Sequence, residues 1–234
     1  MMGVEFQHGG RKLGRTYRGV RQLGSHSETF RRAPKRIGVA EGADYEERHQ
    51  IILREAARAF VENGTQNTSL DDVATRVGVT KPALYHYVSS KDELISQVLD
   101  IAAQEKLEML DDIQAEPVPG RDRLRRVCEL WATSATTDFG RAVVLIERYA
   151  LSPQSLEKYL DVHRKILRRI ESLIRDGVAD GSIRDCNPAV MALGLMGVFN
   201  SPARWYRPDG PMSLDAAVQQ LVEFMEHGVV PQAS

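Results

Sequence analysis

The stretch Ser69–Leu94 constrains this chain more than any other, because helix starts and stops crowd into it. Ser69 is followed three residues later by Asp72, a capping-box pattern that opens a short helix over Leu70–Val77. Gly78 closes that helix, and a second short helix is expected over Thr80–Tyr87, with Pro82 tolerable only in its first turn. Ser90 with Glu93 repeats the capping pattern and starts a long helix that runs to about Ile113. Two helices this short are not stable alone and need a third to bury their apolar faces. The stripe Ile51, Ile52, Ala56, Ala59 and Phe60, stopped by Asn63-Gly64, supplies it. Phe60, Val73, Val77, Val79 and Leu84 would then share one small core. This is the pattern of a helix-turn-helix, whose second short helix can enter a DNA major groove N-terminus first.

The rest of the chain is also helical in pattern, with no segment of period two long enough for a sheet. After the connector Gln114–Gly120, helices are expected at about 121–137, 140–150, 153–179, 188–206 and 214–228. The fold class is therefore all-α: a three-helix DNA-binding unit over 44–92, followed by a helical ligand-binding and dimerisation unit over 93–234. Residues 1–43 lack apolar periodicity and read as a disordered arm. Its first 36 residues hold nine Lys and Arg against two Glu, although the whole chain has a net charge of −1. Such an arm neutralises phosphates when it lies on DNA; a plain extension of the chain is the alternative. Two isolated cysteines, Cys128 and Cys186, suit a reducing cytoplasm and form no zinc pattern. No apolar run has the length of a membrane span, and no nucleophile elbow, phosphate loop or metal motif marks an enzyme or a cofactor.

On the second short helix the exposed residues are Thr80, Lys81, Pro82, Ala83 and His86. Lysine donates to guanine and small apolar groups touch the thymine methyl, so these are candidates for reading bases. His86 is equally open to plain exposure. Tyr85, Tyr87 and Lys91 are suited to phosphates, with Tyr85 alternatively a brace against the first helix. Thr68 and Ser69 stand at a helix N-terminus, where phosphate is attracted. The run TSLDDVATRVGVTKPALYHYVSSKDEL, Thr68–Leu94, together with Gln50–Gly64, resembles the signature of the TetR family of regulators. That resemblance implies a homodimer on a palindromic double-stranded operator, released by a small effector. It also assigns base contacts to Lys81, Pro82, Ala83 and His86, and backbone contacts to Ser69, Tyr85, Tyr87 and Lys91. Asp71 departs from the pattern, which often has a base-reading polar group there, and is expected to cap its helix or pair with a neighbour. A DNA-binding regulator or architectural protein with no effector is the alternative.

Family logic places an effector pocket within 105–205. The candidates on its helices are Trp131, Phe139, Leu145, Tyr149, His163, Leu167, Met196, Phe199 and Asn200, among which apolar members are equally read as core and His163 as a satisfied core histidine. The segment Ser201–Ser213, SPARWYRPDGPMS, is similar to one in TetR-family members that govern lipid or steroid catabolism and respond to acyl-CoA thioesters. That likeness implies a small apolar or acyl-CoA-like effector. Two apolar helices remain for pairing with a second copy: one carries Ala192, Leu193, Leu195, Met196 and Phe199 with Gly194 and Gly197. The other carries Leu214, Ala217, Val218, Leu221, Val222 and Met225.

Overall fold

The computed structural model describes residues 45–229, within the unit Arg32–Ser234. The arm expected over 1–43 lies outside the described residues. Among the described residues there is no strand; the elements are α1 (Tyr45–Asn63), α2 (Leu70–Val77), α3 (Lys81–Leu84), α4 (Lys91–Gln114), α5 (Gly120–Ser134), α6 (Asp138–Leu145), α7 (Pro153–Ala179), α8 (Pro188–Asn200), α9 (Pro202–Trp205) and α10 (Leu214–Val229). A 3-10 turn at Arg148–Ala150 precedes α7.

The first punctuation signals act as the sequence reading expects. The Ser69 hydroxyl accepts from the Asp72 amide while the Asp72 carboxylate accepts from the Ser69 amide, and Gly78 closes α2 in the left-handed region. At α4 only half of the box forms. Ser90 caps Glu93, but the Glu93 carboxylate accepts from the amide and hydroxyl of Ser89 instead. Three expected helices differ. The one over 80–87 is α-helical only to Leu84 and tightens into a turn, with His86 N donating to Ala83 O and Tyr87 N to Leu84 O. The one over 188–206 breaks after Asn200, because Pro202 has no N–H to continue the ladder. The segment 140–150 begins earlier, at Asp138, where the Thr137 hydroxyl caps Gly140, and its α-helix stops at Leu145.

Two cores organise these helices, and α4 belongs to both. Leu94, Ile95, Val98, Leu99 and Ala102 pack with α1, α2, Leu84 of α3, and Phe139 and Ala142 of α6. Leu84 is fully buried, which stabilises that single turn of α3 by about 2 kcal/mol. One to two turns later, Met109, Leu110 and Ile113 pack with α5, α7, α8 and α10. Between Ala102 and Met109 the buried face of α4 is interrupted by a lysine, Lys106, only 3% exposed.

Polar ties bind the two halves. Glu55 of α1, nearly buried, pairs with Arg58 and with Arg76 of α2, and Arg58 reaches Asp138 in the first turn of α6. Asp92, in the first turn of α4, accepts hydrogen bonds from the Ser152 amide (2.7 Å) and from the Ser152 and Ser155 hydroxyls, so it holds the start of α7. Burial opposes the charge on Asp92, but those three bonds keep its carboxyl below the ordinary range.

Candidate functional site

The DNA-reading candidates gather on one exposed surface. Ser69, Lys81, Tyr85 and Lys91 line a shallow groove together with Gln66 and Asn67, which the sequence reading did not single out. Pro82, Tyr85 and His86 are exposed, Ala83 is half-buried, and Tyr85 projects from the end of α3. Lys81 stands at the first position of α3, with its ammonium 3.0 Å from both oxygens of Asp71. That pair accounts for Asp71, and it holds Lys81 above its ordinary pKa, fully charged. Both partners are exposed, so the pair is weak and open to competition from DNA.

Several candidates have structural duties. Thr68 also lines the groove, but it is buried and its hydroxyl donates to Ala59 O and Gly64 O, so that hydroxyl joins α1 to the start of α2. Ser69 and Thr80 cap α2 and α3 while staying exposed. Tyr87 is half-buried, with its ring stacked 4.6 Å from Tyr45 and 5.8 Å from His49. The bracing role considered for Tyr85 thus falls to Tyr87.

A second site is a cleft against α4, between the two cores, walled by α5, α7 and α8. Trp131, His163, Met196 and Asn200 line it. Trp131 Nε1 donates to Asn200 Oδ1 at 2.8 Å, so those two polar groups satisfy each other. The other pocket candidates lie outside it. Phe139 is packed in the core shared by α1 and α4, and Phe199 and Leu167 in or against the core of α5, α7 and α8. Tyr149 is 69% exposed beside Glu147, and Leu145 is half-buried at the end of α6. Apolar spacing alone does not separate a core-facing residue from a cleft-facing one on the same helix.

Polar residues of the cleft that sequence reasoning missed include Ser96, Asp100 and Lys106 from α4, and Lys158 and Tyr159 from α7. A lysine at an apolar position in the α4 stripe was the available signal. The Lys106 ammonium lies 4.4 Å from the centre of the Trp131 ring, and burial lowers its pKa from 10.5 to about 8. Burial, with Arg148 and Lys106 nearby, pushes the His163 imidazole down, so the ring is neutral near pH 7. The cleft occupies about 590 Å³ counting its open side, but the centre of a water-sized sphere fits in only about 30 Å³ of it.

No group of acidic, His or Cys side chains among the described residues is placed to hold a metal, and no described helix is long and apolar enough to cross a membrane. On the outer face of α8, Val190, Leu193, Gly194 and Gly197 follow helical spacing and are exposed, and Phe224 of α10 is 69% exposed. Of the residues expected to pair with a second copy, Ala192, Leu195, Met196, Phe199, Ala217, Val218, Val222 and Met225 are instead buried in the chain's own interior.

Comparison with known proteins agrees with this geometry. The model for bacterial regulatory proteins of the tetR family matches residues 52–98, and that for the tetracyclin repressor-like C-terminal domain matches 117–229. The transcriptional activator FasR of Mycolicibacterium smegmatis is 27% identical over 186 residues, 79% of this chain and 84% of FasR. The transcriptional repressor KstR2 of the same organism is 25% identical over 191 residues, covering 78% and 90%. The fold also matches AibR in complex with isovaleryl coenzyme A and operator DNA, with a TM-score of 0.69 at 22% identity over 76% of this chain and 97% of AibR. Family models that match both the N-terminal and the C-terminal part, with relatives that are regulators, lead to one conclusion: the chain belongs to the TetR family and is a helix-turn-helix transcriptional regulator.

Proposed function

We propose that the chain acts as a homodimeric repressor that grips a palindromic operator through the Ser69–Lys91 face and is released when an acyl-CoA thioester enters the cleft on α4. The observation that carries this reading is the position of the cleft. It opens on the same helix that starts with Lys91 and Asp92 beside the DNA-reading turn. Its interior is far smaller than the roughly 300 Å³ and upward of a ligand pocket, so an effector must displace α7 to enter. The start of α7 is held by Asp92, so that displacement pulls on the head of α4. In a dimer the two recognition turns must sit about 34 Å apart to meet successive grooves, and a change of a few ångströms breaks the match. The acyl-CoA choice is supported by the Ser201–Ser213 likeness and by AibR, solved with isovaleryl coenzyme A and operator DNA.

Operator affinity measured with isovaleryl- and octanoyl-coenzyme A tests the reading. Wild-type protein is expected to weaken at least about fivefold with one thioester, within the usual range of allosteric coupling. Asp92→Asn is expected to bind that thioester but lose most of the release. Operator affinity unaffected by any thioester would discard the effector and leave a DNA-binding regulator without one.

The exposed apolar face of α8 and α10 supports the dimer, since pairing buries Val190, Leu193 and Phe224, and Gly194 and Gly197 have open space above them for close approach. Leu193→Asp with Phe224→Asp is expected to give a monomer by light scattering, with helical content retained. An unchanged dimer would place the interface elsewhere.

A further inference from the structure

We propose that the α4 cleft takes an effector bearing a carboxylate, with the anionic oxygens at Lys106 and the hydrocarbon against Trp131, Val162, Ile166 and Met196. The proposal rests on the effector-pocket reading and adds the chemistry of the ligand's head. Lys106 is 3% exposed, and among the described residues no carboxylate lies within ion-pair distance of its ammonium and no hydrogen bond reaches it. A buried charge without a partner is costly, and proteins either pair it or neutralise it. Here the face of Trp131 gives partial compensation, while burial lowers the pKa of the ammonium and the Glu105 charge opposes that only in part.

The charges of the groups that face Lys106 do not oppose an anion there. Glu105, its neighbour on α4, points out to solvent and acts on it only at a distance. From α7 come Lys158, Tyr159 and His163, and Arg148 lies over the Tyr159 ring, so the far wall is cationic or neutral. Asp100 is the cleft's only lining carboxylate, and it stands six residues up the helix, opposite Lys158. Ser96 Oγ is a buried polar atom without a partner and lies about 15 Å from Lys106 along the helix axis. An amphipathic acid of that reach, with a polar group toward Ser96, would satisfy both. The carboxylate is available from a free acid or from the distal end of a dicarboxylic acid joined to coenzyme A.

The test is binding of straight-chain alkanoates of four to twelve carbons, the matching primary alcohols, octanoyl-coenzyme A and the mono-coenzyme A thioester of octanedioate. Wild-type protein is expected to bind the best carboxylate at least tenfold more tightly than its alcohol. Lys106→Met is expected to remove that advantage while still binding the alcohol, which reports an intact cleft. At pH 9 the acid is expected to bind with proton uptake, absent in Lys106→Met. The proposal is overturned if acids and alcohols bind equally, if Lys106→Met leaves acid affinity unchanged, or if no carboxylate binds. Binding of octanoyl-coenzyme A alone would overturn the carboxylate and keep the effector pocket. Tight binding of the octanedioate thioester but not the free acids would identify the source as the coenzyme A conjugate.

Discussion

Gly120→Ala is expected to lower the folding stability by about 2 kcal/mol, although alanine is the better helix residue. A Cβ on Gly120 would sit 2.3 Å from the Gly177 Cα and 2.5 Å from its amide nitrogen. The obstacle is the backbone of α7, which cannot rotate away as a side chain could. Overpacking of this kind costs about 3 kcal/mol, while replacing glycine in a helix returns up to about 1. The same junction carries the Gly120 amide donating to Asp180 at 2.8 Å and the Arg121 amide donating to Ser182, so the α5–α7 crossing has little freedom to open. Denaturant unfolding reads the change as a shift of the midpoint. A variant as stable as the parent would mean that the two glycines do not pack backbone to backbone.

Lys106→Met has the opposite sign and a pH signature. A lysine whose pKa falls from 10.5 to about 8 on folding costs about 3 kcal/mol at neutral pH. The methionine variant is therefore expected to be more stable by up to about 3 kcal/mol at pH 7. Below about pH 8 the lysine is protonated in both folded and unfolded chains, and the penalty is fully present. Between about 8 and 10.5 the unfolded chain binds the extra proton, so the parent gains stability as pH rises and the gap to the variant closes. Urea melts at pH 7, 9 and 10.5 check this. A constant gap across that range, or a less stable variant at pH 7, would contradict the burial of an uncompensated ammonium. A stabilising substitution at a cleft residue is what a site that gives up stability for binding would show.

The order of helices was legible because local chemistry sets it. Ser69 with Asp72, Gly78, Ser152-Pro153 and Asn187-Pro188 mark helix ends through bonds made within a few residues: α2, α7 and α8 start where those marks stand, and α2 stops at Gly78. The candidate DNA face was partly legible for the same reason, since α3 is a single turn with Lys81, Pro82, Tyr85 and His86 exposed at it. The burial of Thr68 was not legible, because it depends on carbonyls at the end of α1, which no spacing reveals. The cleft was the least legible part. Trp131, Phe139, Leu167 and Phe199 are alike in sequence, and which of them meets empty space depends on how α5, α7 and α8 are rotated about α4. Lys106 was the exception: a charge on an apolar stripe is visible in the sequence, although the sequence reading did not single it out. Gly120 read as the end of a connector and Gly177 was not singled out, whereas the two form a crossing that only the folded chain brings together.

The central claim, that Ser69–Lys91 on a paired molecule reads DNA, is tested most directly by selecting fragments of bacterial genomic DNA with the full chain and sequencing those retained. The expected result is an inverted repeat with half-site centres about one helical turn apart. Lys81→Ala is expected to relax preference at one symmetric base pair, while Lys91→Ala weakens all sites and flattens the salt dependence. Retention of unrelated fragments with no repeat, or an inverted repeat selected equally well after Lys81, Tyr85 and Lys91 are all replaced by alanine, would contradict it.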